Sequence, residues 1–155
     1  MFRFLFIYLS LSSPFYASNC TDIKSYINQN LPLKGTLDQE ENGFVYVKVS
    51  DDYLYALHPF IQNEGYSLPP YFGNNLVGAH ITVIKAGELS KIIIEEIGST
   101  IPFEVIDCEV VHPPHWNAFE KVYILRVDCS LLDAIRKKYG LPPPPFPYHI
   151  TIGVK

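Results

Sequence analysis

Two stretches decide how this chain reads: Gly78-Ala79-His80-Ile81-Thr82-Val83 and Pro147-Tyr148-His149-Ile150-Thr151-Ile152. Each is a histidine, an apolar residue, a threonine and a second apolar residue, and each has a Pro/Gly-rich approach. His149 follows His80 by 69 residues, about the length of one lobe of a duplicated domain. Alternation with β-branched residues marks a strand with one buried face. Residues i and i+2 of a strand share a face. His80 and Thr82 therefore point one way, while Ala79, Ile81 and Val83 point into a core. His149 and Thr151 likewise share a face, with Ile150, Ile152 and Val154 behind them.

If two such strands lie side by side about a pseudo-twofold axis, four polar groups converge. Two imidazoles titrate near neutral pH and can serve as base and acid. Two hydroxyls can donate hydrogen bonds to phosphoryl oxygens. Cleavage of a phosphodiester needs this set: a group to take a proton from the attacking oxygen, an opposed group to protonate the leaving oxygen, and donors for the remaining oxygens. It needs no metal and no cofactor.

Around these motifs the chain alternates strand-like and helix-like segments. Ile23, Tyr26, Ile27 and Leu31 have helical spacing, with Thr21 or Asp22 as the expected cap. Phe44 to Val49 alternates, with three valines on one face and Phe44, Tyr46 and Lys48 on the other. Ser50-Asp51-Asp52 opens a helix that Pro59 shortens or kinks. Residues 64–75 form a loop, and Leu76 to Ile84 is a strand. Leu89, Ile92, Ile93 and Ile97 make an amphipathic stripe ending near Gly98. Phe103 to Val111 and Lys121 to Val127 are strands joined by the turn HPPHWNAF (112–119). Ser130 caps a helix with Arg136, Lys137 and Lys138 in its last turn and Gly140 as its stop. LPPPPFP is a stiff linker into the last strand, Tyr148 to Val154. Hairpin-like strand pairs among helices point to an α+β fold rather than a doubly wound parallel sheet.

With both His-x-Thr motifs in place, the sequence resembles the 2H phosphoesterases, a family named for two His-h-Thr-h motifs in which h is apolar. It includes RNA 2′,3′-cyclic phosphodiesterases once called 2′-5′ RNA ligases, cyclic nucleotide phosphodiesterases and phage enzymes that destroy cyclic dinucleotides. The resemblance covers roughly Gly43 to Lys155 and implies a bilobal, duplicated α+β structure with two antiparallel sheets facing a central cleft. It carries His80 and His149 over as catalytic residues and Thr82 and Thr151 as phosphate-binding ones. The expected activity is hydrolysis, without metal, of a cyclic phosphate or phosphodiester in a nucleotide, oligonucleotide or RNA end. The alternative is a catalytically inactive protein of the same fold that binds a nucleotide or RNA end; intact His and Thr in both motifs argue against it.

Other residues join the candidate site. Tyr46 and Lys48 would face the cleft if their strand lies beside a motif strand, with Lys48 on phosphate and Tyr46 on a base. Trp116 and Tyr148 are further candidates for substrate contact, and Phe146 flanks His149 with Tyr148. Alternatively, Tyr46 and Lys48 lie on a solvent-facing strand, Trp116 packs over a hairpin, and Phe146 and Tyr148 pack in the core. His112 and His115 form H-P-P-H, but no further ligands of matching spacing follow, so a histidine-dependent metal protein is the weakest reading. His58 is expected to be structural.

Composition narrows the partners. The chain has 155 residues, 18% charged and 48% apolar, and a formal charge of −4. That excludes disorder, and it lacks the basic footprint of proteins that grip a long nucleic acid duplex. A small anionic substrate and a monomer are expected. Residues 1–17, MFRFLFIYLSLSSPFYA, have the charged, apolar, small-residue order of a signal peptide, with an apolar run too short to span a bilayer. Cleavage after Ala17 or Ser18 would leave one domain over 18–155, secreted or periplasmic, with no membrane span. Of Cys20, Cys108 and Cys129, the last two close neighbouring strand-like segments and are the expected disulfide pair.

Overall fold

A computed structural model describes residues 15–70, 76–115 and 117–155. Its elements are α1 (Phe15–Asn30), β1 (Lys34–Gln39), β2 (Val45–Lys48), α2 (Asp52–Tyr55), α3 (His58–Ile61), β3 (His80–Ile84), β4 (Thr100–Pro102), β5 (Glu104–Val111), β6 (Val122–Asp128), α4 (Ser130–Lys138) and β7 (His149–Val154). The α+β expectation holds. The strands form one seven-stranded sheet in the order β4-β1-β2-β3-β7-β6-β5, with every pairing antiparallel. The two separate sheets expected from the resemblance are therefore fused. Strands β1 to β3 run inward from one side and β5 to β7 from the other. They meet at a seam where Ile81 pairs with Ile150.

The alternation in each strand produces the two faces of this sheet. Leu37, Val45, Val47, Ile81, Val83, Leu125, Val127, Ile150 and Ile152 are buried in one core. The same core contains Ile23 and Ile27 of α1, Leu54, Leu57 and Ile61 around α2 and α3, and Leu132 and Ile135 of α4. The helices therefore cover one face, a two-layer arrangement. Gly153 permits close packing on β7, because a Cβ there would lie 2.6 Å from Ile61 Cδ1 and 3.1 Å from Tyr66 Cβ. Bulges between Val45 and Tyr46 and between Tyr123 and Ile124 re-aim the strands next to the seam.

Several local expectations need correction. The helix expected after Thr21 or Asp22 already runs from Phe15. The segment before α4 ends at Cys129, whose extended backbone is the N-cap, so Ser130 is the first helical residue and not the cap. Pro59 sits in the first turn of α3, separating it from α2. Strands β1 and β4 lie in segments not assigned as strands from their pattern. The stripe Leu89 to Ile97 forms turns, not a helix. Three successive β-branched isoleucines are poor helix formers, and here side chains satisfy the backbone from outside. Gln39 binds both Ile92 O and Ile94 N, and Tyr139 Oη accepts from Glu95 N.

The disulfide also differs from expectation. Cys20 of α1 is bonded to Cys108 of β5, with Cα atoms 5.6 Å apart, while Cys129 is a buried free thiol. Cys108 lies opposite Leu125, and the same ladder reaches Glu104 opposite Asp128. Cys129 is thus displaced by four residues or more along the ladder, roughly 14 Å at strand rise, beyond the reach of a disulfide. Its sulfur instead lies 3.3 Å from Pro102 O. Expectations for the leader fall mostly on residues 1–14, outside the described residues; Phe15 to Ala17 open α1. No described helix is long and apolar enough to cross a membrane.

Candidate active site

The seam brings the two motifs together. Because Ile81 pairs with Ile150 in an antiparallel ladder, His80 lies level with Thr151 and Thr82 with His149. All four are half-buried on the face opposite the helices, while Ile81 and Ile150 are fully buried beneath them. Cross-strand neighbours on one face have Cβ atoms about 4.5–5.5 Å apart. One phosphoryl group therefore fits within reach of both pairs.

Both imidazoles are oriented in the same way. His80 Nδ1 is 2.8 Å from Gly78 O, and His149 Nδ1 is 2.8 Å from Pro147 O. A carbonyl only accepts, so each Nδ1 donates. In the neutral form each ring then carries its lone pair on Nε2, the nitrogen suited to take a proton. Gly78 can present its carbonyl this way because it adopts a positive φ of 72°. Asp51 Oδ1 fixes the next residue by accepting from Ala79 N at 3.0 Å.

The two histidines sit in different surroundings. His80 meets the rings of Phe44 and Tyr46 edge-on, with centroids 5.8 and 6.0 Å away. Burial there pushes its pKa below the ordinary histidine value; the Gly78 carbonyl opposes this shift and nearby His149 adds to it. His80 is thus biased toward the neutral imidazole. The bond from His149 to Pro147 is solvent-exposed.

The remaining predicted residues are distributed unevenly. Lys48 is exposed on β2 directly opposite His80, and Tyr46 is opposite Thr82. Tyr46 is buried, stacks on Phe44 and donates to Glu40 Oε1 at 3.0 Å. Burial and these carboxylates raise its pKa, so it stays a neutral phenol. Its place is against His80 and not open to a base. Tyr148 is buried with its hydroxyl 3.1 Å from Asp133 Oδ1, on the core side of β7. Phe146 is exposed beneath Lys85 Nζ, 5.6 Å from the ring centre. Trp116 lies outside the described residues. His112 and His115 are exposed, and His58 Nε2 donates to Tyr66 O at 3.0 Å in a structural role. Among the described residues, no three His, Cys, Asp or Glu side chains gather as a metal ion requires.

One residue that the sequence reading passed over belongs beside the site. Arg126 of β6 pairs directly with His149. In KVYILRV, Tyr123, Leu125 and Val127 form the buried face, so Arg126 is a charge on the other face of an apolar strand. That pattern matches Lys48 in FVYVKV.

The model of the Swiss Army Knife 2H phosphoesterase domain matches residues 45–155. No curated protein and no solved structure gives a match. The matched span contains both His-x-Thr strands, their flanking strands β2 and β6, and the seam between them, and on that span the chain belongs to the 2H phosphoesterase family.

Proposed function

We propose that this chain is a metal-independent phosphodiesterase. Its substrate is a cyclic phosphate or phosphodiester of a nucleotide, oligonucleotide or RNA end. The observation that carries the reading is the Ile81–Ile150 register, which sets two carbonyl-oriented imidazoles and two threonines on one face of adjoining strands. In the proposed reaction His80, neutral because it is buried, takes a proton on Nε2 from water or a ribose hydroxyl. The attacking oxygen bonds to phosphorus as the bond to the leaving oxygen breaks. His149, as imidazolium, protonates that oxygen, and Thr82 and Thr151 donate to the non-bridging oxygens. The matching runs β1-β2-β3 and β5-β6-β7 about the seam support descent from a duplicated unit.

A small substrate fits the charge pattern. Lys48 flanks the histidines, whereas Asp38, Glu40 and Glu109 lie on or beside the strands further out. A long phosphate backbone would meet those carboxylates; a substrate with its charge at the centre would not. Function as a monomer and export with removal of residues 1–17 complete the proposal. The Cys20–Cys108 disulfide supports an oxidising compartment.

The test is a panel assayed in chelator: nucleoside 2′,3′-cyclic phosphates, cyclic dinucleotides, 2′,5′-linked oligoadenylate and oligouridine RNA ends, with product identification. His80→Ala and His149→Ala should each lower turnover by about 10²–10⁴-fold, and the double variant should be little worse than the poorer single. Thr82→Ala and Thr151→Ala should cost about 1–3 kcal/mol each in transition-state binding. Full turnover in the double histidine variant would place the chemistry elsewhere.

A further inference from the structure

The fold pairs each motif histidine with a cation on the strand outside it: Lys48 opposite His80 on β2, and Arg126 opposite His149 on β6. The two pairs occupy corresponding places about the β3–β7 seam. Lys48 is exposed, whereas Arg126 is half-buried and its Nε is fully sequestered from solvent. Among the described residues that Nε has no hydrogen-bond partner. Its acidic neighbour, Glu109 Oε2, lies 3.9 Å away, too far for a hydrogen bond. A buried donor left unpaired is costly and is an exception in native proteins, so its surroundings must offer an acceptor.

The space beside Arg126 fits that reading. Arg126 lines a groove whose other walls include Ile106, Asp133, Pro145, Phe146 and Tyr148. This groove adjoins the start of β7, where Pro147 orients His149. Guanidinium presents donors in a planar fork that matches the oxygens of a phosphoryl group. We propose that Arg126 is a substrate-binding residue that meets a non-bridging oxygen of the phosphate held between His149 and Thr82, with Glu109 as the carboxylate that competes with phosphate for the guanidinium. The inference rests on the proposed phosphodiesterase reading of the cleft. It adds a charged contact on the His149 side that complements Lys48 on the other.

The test uses the full chain and inorganic phosphate as the probe, titrated while the ring signals of His80 and His149 are followed by NMR. Arg126→Gln should weaken phosphate binding by about tenfold or more, the scale of a lost charged hydrogen bond. Arg126→Lys should fall between Arg126→Gln and the parent, because it keeps the charge without the fork. Glu109→Gln should tighten binding by removing the competing carboxylate, an effect that a merely structural arginine would not produce. With a substrate from the panel, Arg126→Gln should raise KM more than it lowers kcat. Thermal melting of each variant reports its folding, and if Arg126→Gln fails to fold, the other two variants carry the test. Phosphate binding equal in the parent, Arg126→Lys and Glu109→Gln proteins overturns the inference, as does phosphate binding that Arg126→Gln leaves intact. If turnover is lost in the histidine variants but Arg126 proves indifferent, the phosphodiesterase reading stands and this assignment alone falls. Absence of turnover on every substrate, with phosphate binding still dependent on Arg126, has the opposite meaning.

Discussion

Gly78→Ala probes how the first motif is held. Gly78 has a φ of 72°, and a Cβ there would lie 2.5 Å from Asp51 Oδ1. An alanine in this left-handed region costs about 1–2 kcal/mol from backbone sterics. The clash adds to it, but its partner is the end of an exposed side chain that can swing away. Swinging away breaks the bond that Asp51 accepts from Ala79 N. Because Asp51 is exposed, that loss belongs at the low end for a hydrogen bond, about 1 kcal/mol. The expected destabilisation is therefore about 2–3 kcal/mol, a sizeable part of the ~5–15 kcal/mol that ordinarily separates folded from unfolded domains. Urea unfolding with an unchanged m-value would measure it. The same shift moves the Gly78 carbonyl that accepts from His80 Nδ1, so nitrogen NMR should show His80 losing its single tautomer while His149 keeps its own. Asp51→Asn retains an acceptor and should have a smaller effect than Asp51→Ala. A Gly78→Ala protein within about 0.5 kcal/mol of the parent, with the His80 tautomer intact, would refute this account of how the motif is positioned.

Burial lowers the His80 pKa, so the unfolded chain binds more protons than the folded one between that lowered value and the ordinary histidine pKa of about 6.5. Stability should rise with pH across that window and level off above it; His80→Asn should flatten the slope, and the acid limb of kcat/KM should lie below the usual histidine range. Cys129 is buried with a raised pKa, so a thiol reagent should label nothing in the native protein and Cys129 alone after denaturation without reductant, as peptide mass mapping would show. Reduction opens a cross-link between residues 88 positions apart, and chain entropy sets its stabilising effect at no more than about 4–5 kcal/mol, readable from the urea midpoint. Arg136 is buried and donates to Val83 O at 2.8 Å, Pro142 O at 2.8 Å and the Glu88 carboxylate. Arg136→Ala should cost about 3 kcal/mol or more, since it strands those acceptors between α4 and the end of β3; a loss under about 1 kcal/mol would show that the cluster rearranges freely.

The extent to which the sequence disclosed this protein follows from the range of the forces involved. The two His-x-Thr strands were legible because strand geometry is local: the alternation of Ile81 with His80 and Thr82 assigns faces whatever the neighbours. The same period placed Tyr46 and Lys48 together on one face, and helix-end chemistry located the close of α4 near Gly140. Elsewhere long-range contacts outvote local preference. Ile92 to Ile97 have helical spacing, yet Gln39 and Tyr139, distant in the chain, satisfy their backbone in turns. Cys108 found Cys20 because α1 packs across the sheet onto β5, a contact between residues far apart in sequence that no spacing rule encodes. Arg126 read as one charge in an apolar strand until the β6–β7 register set it beside His149. The sequence by itself determined which residues share a face; the tertiary structure alone decided which faces meet, because that depends on long-range strand pairing and on helices that bury one side of the sheet.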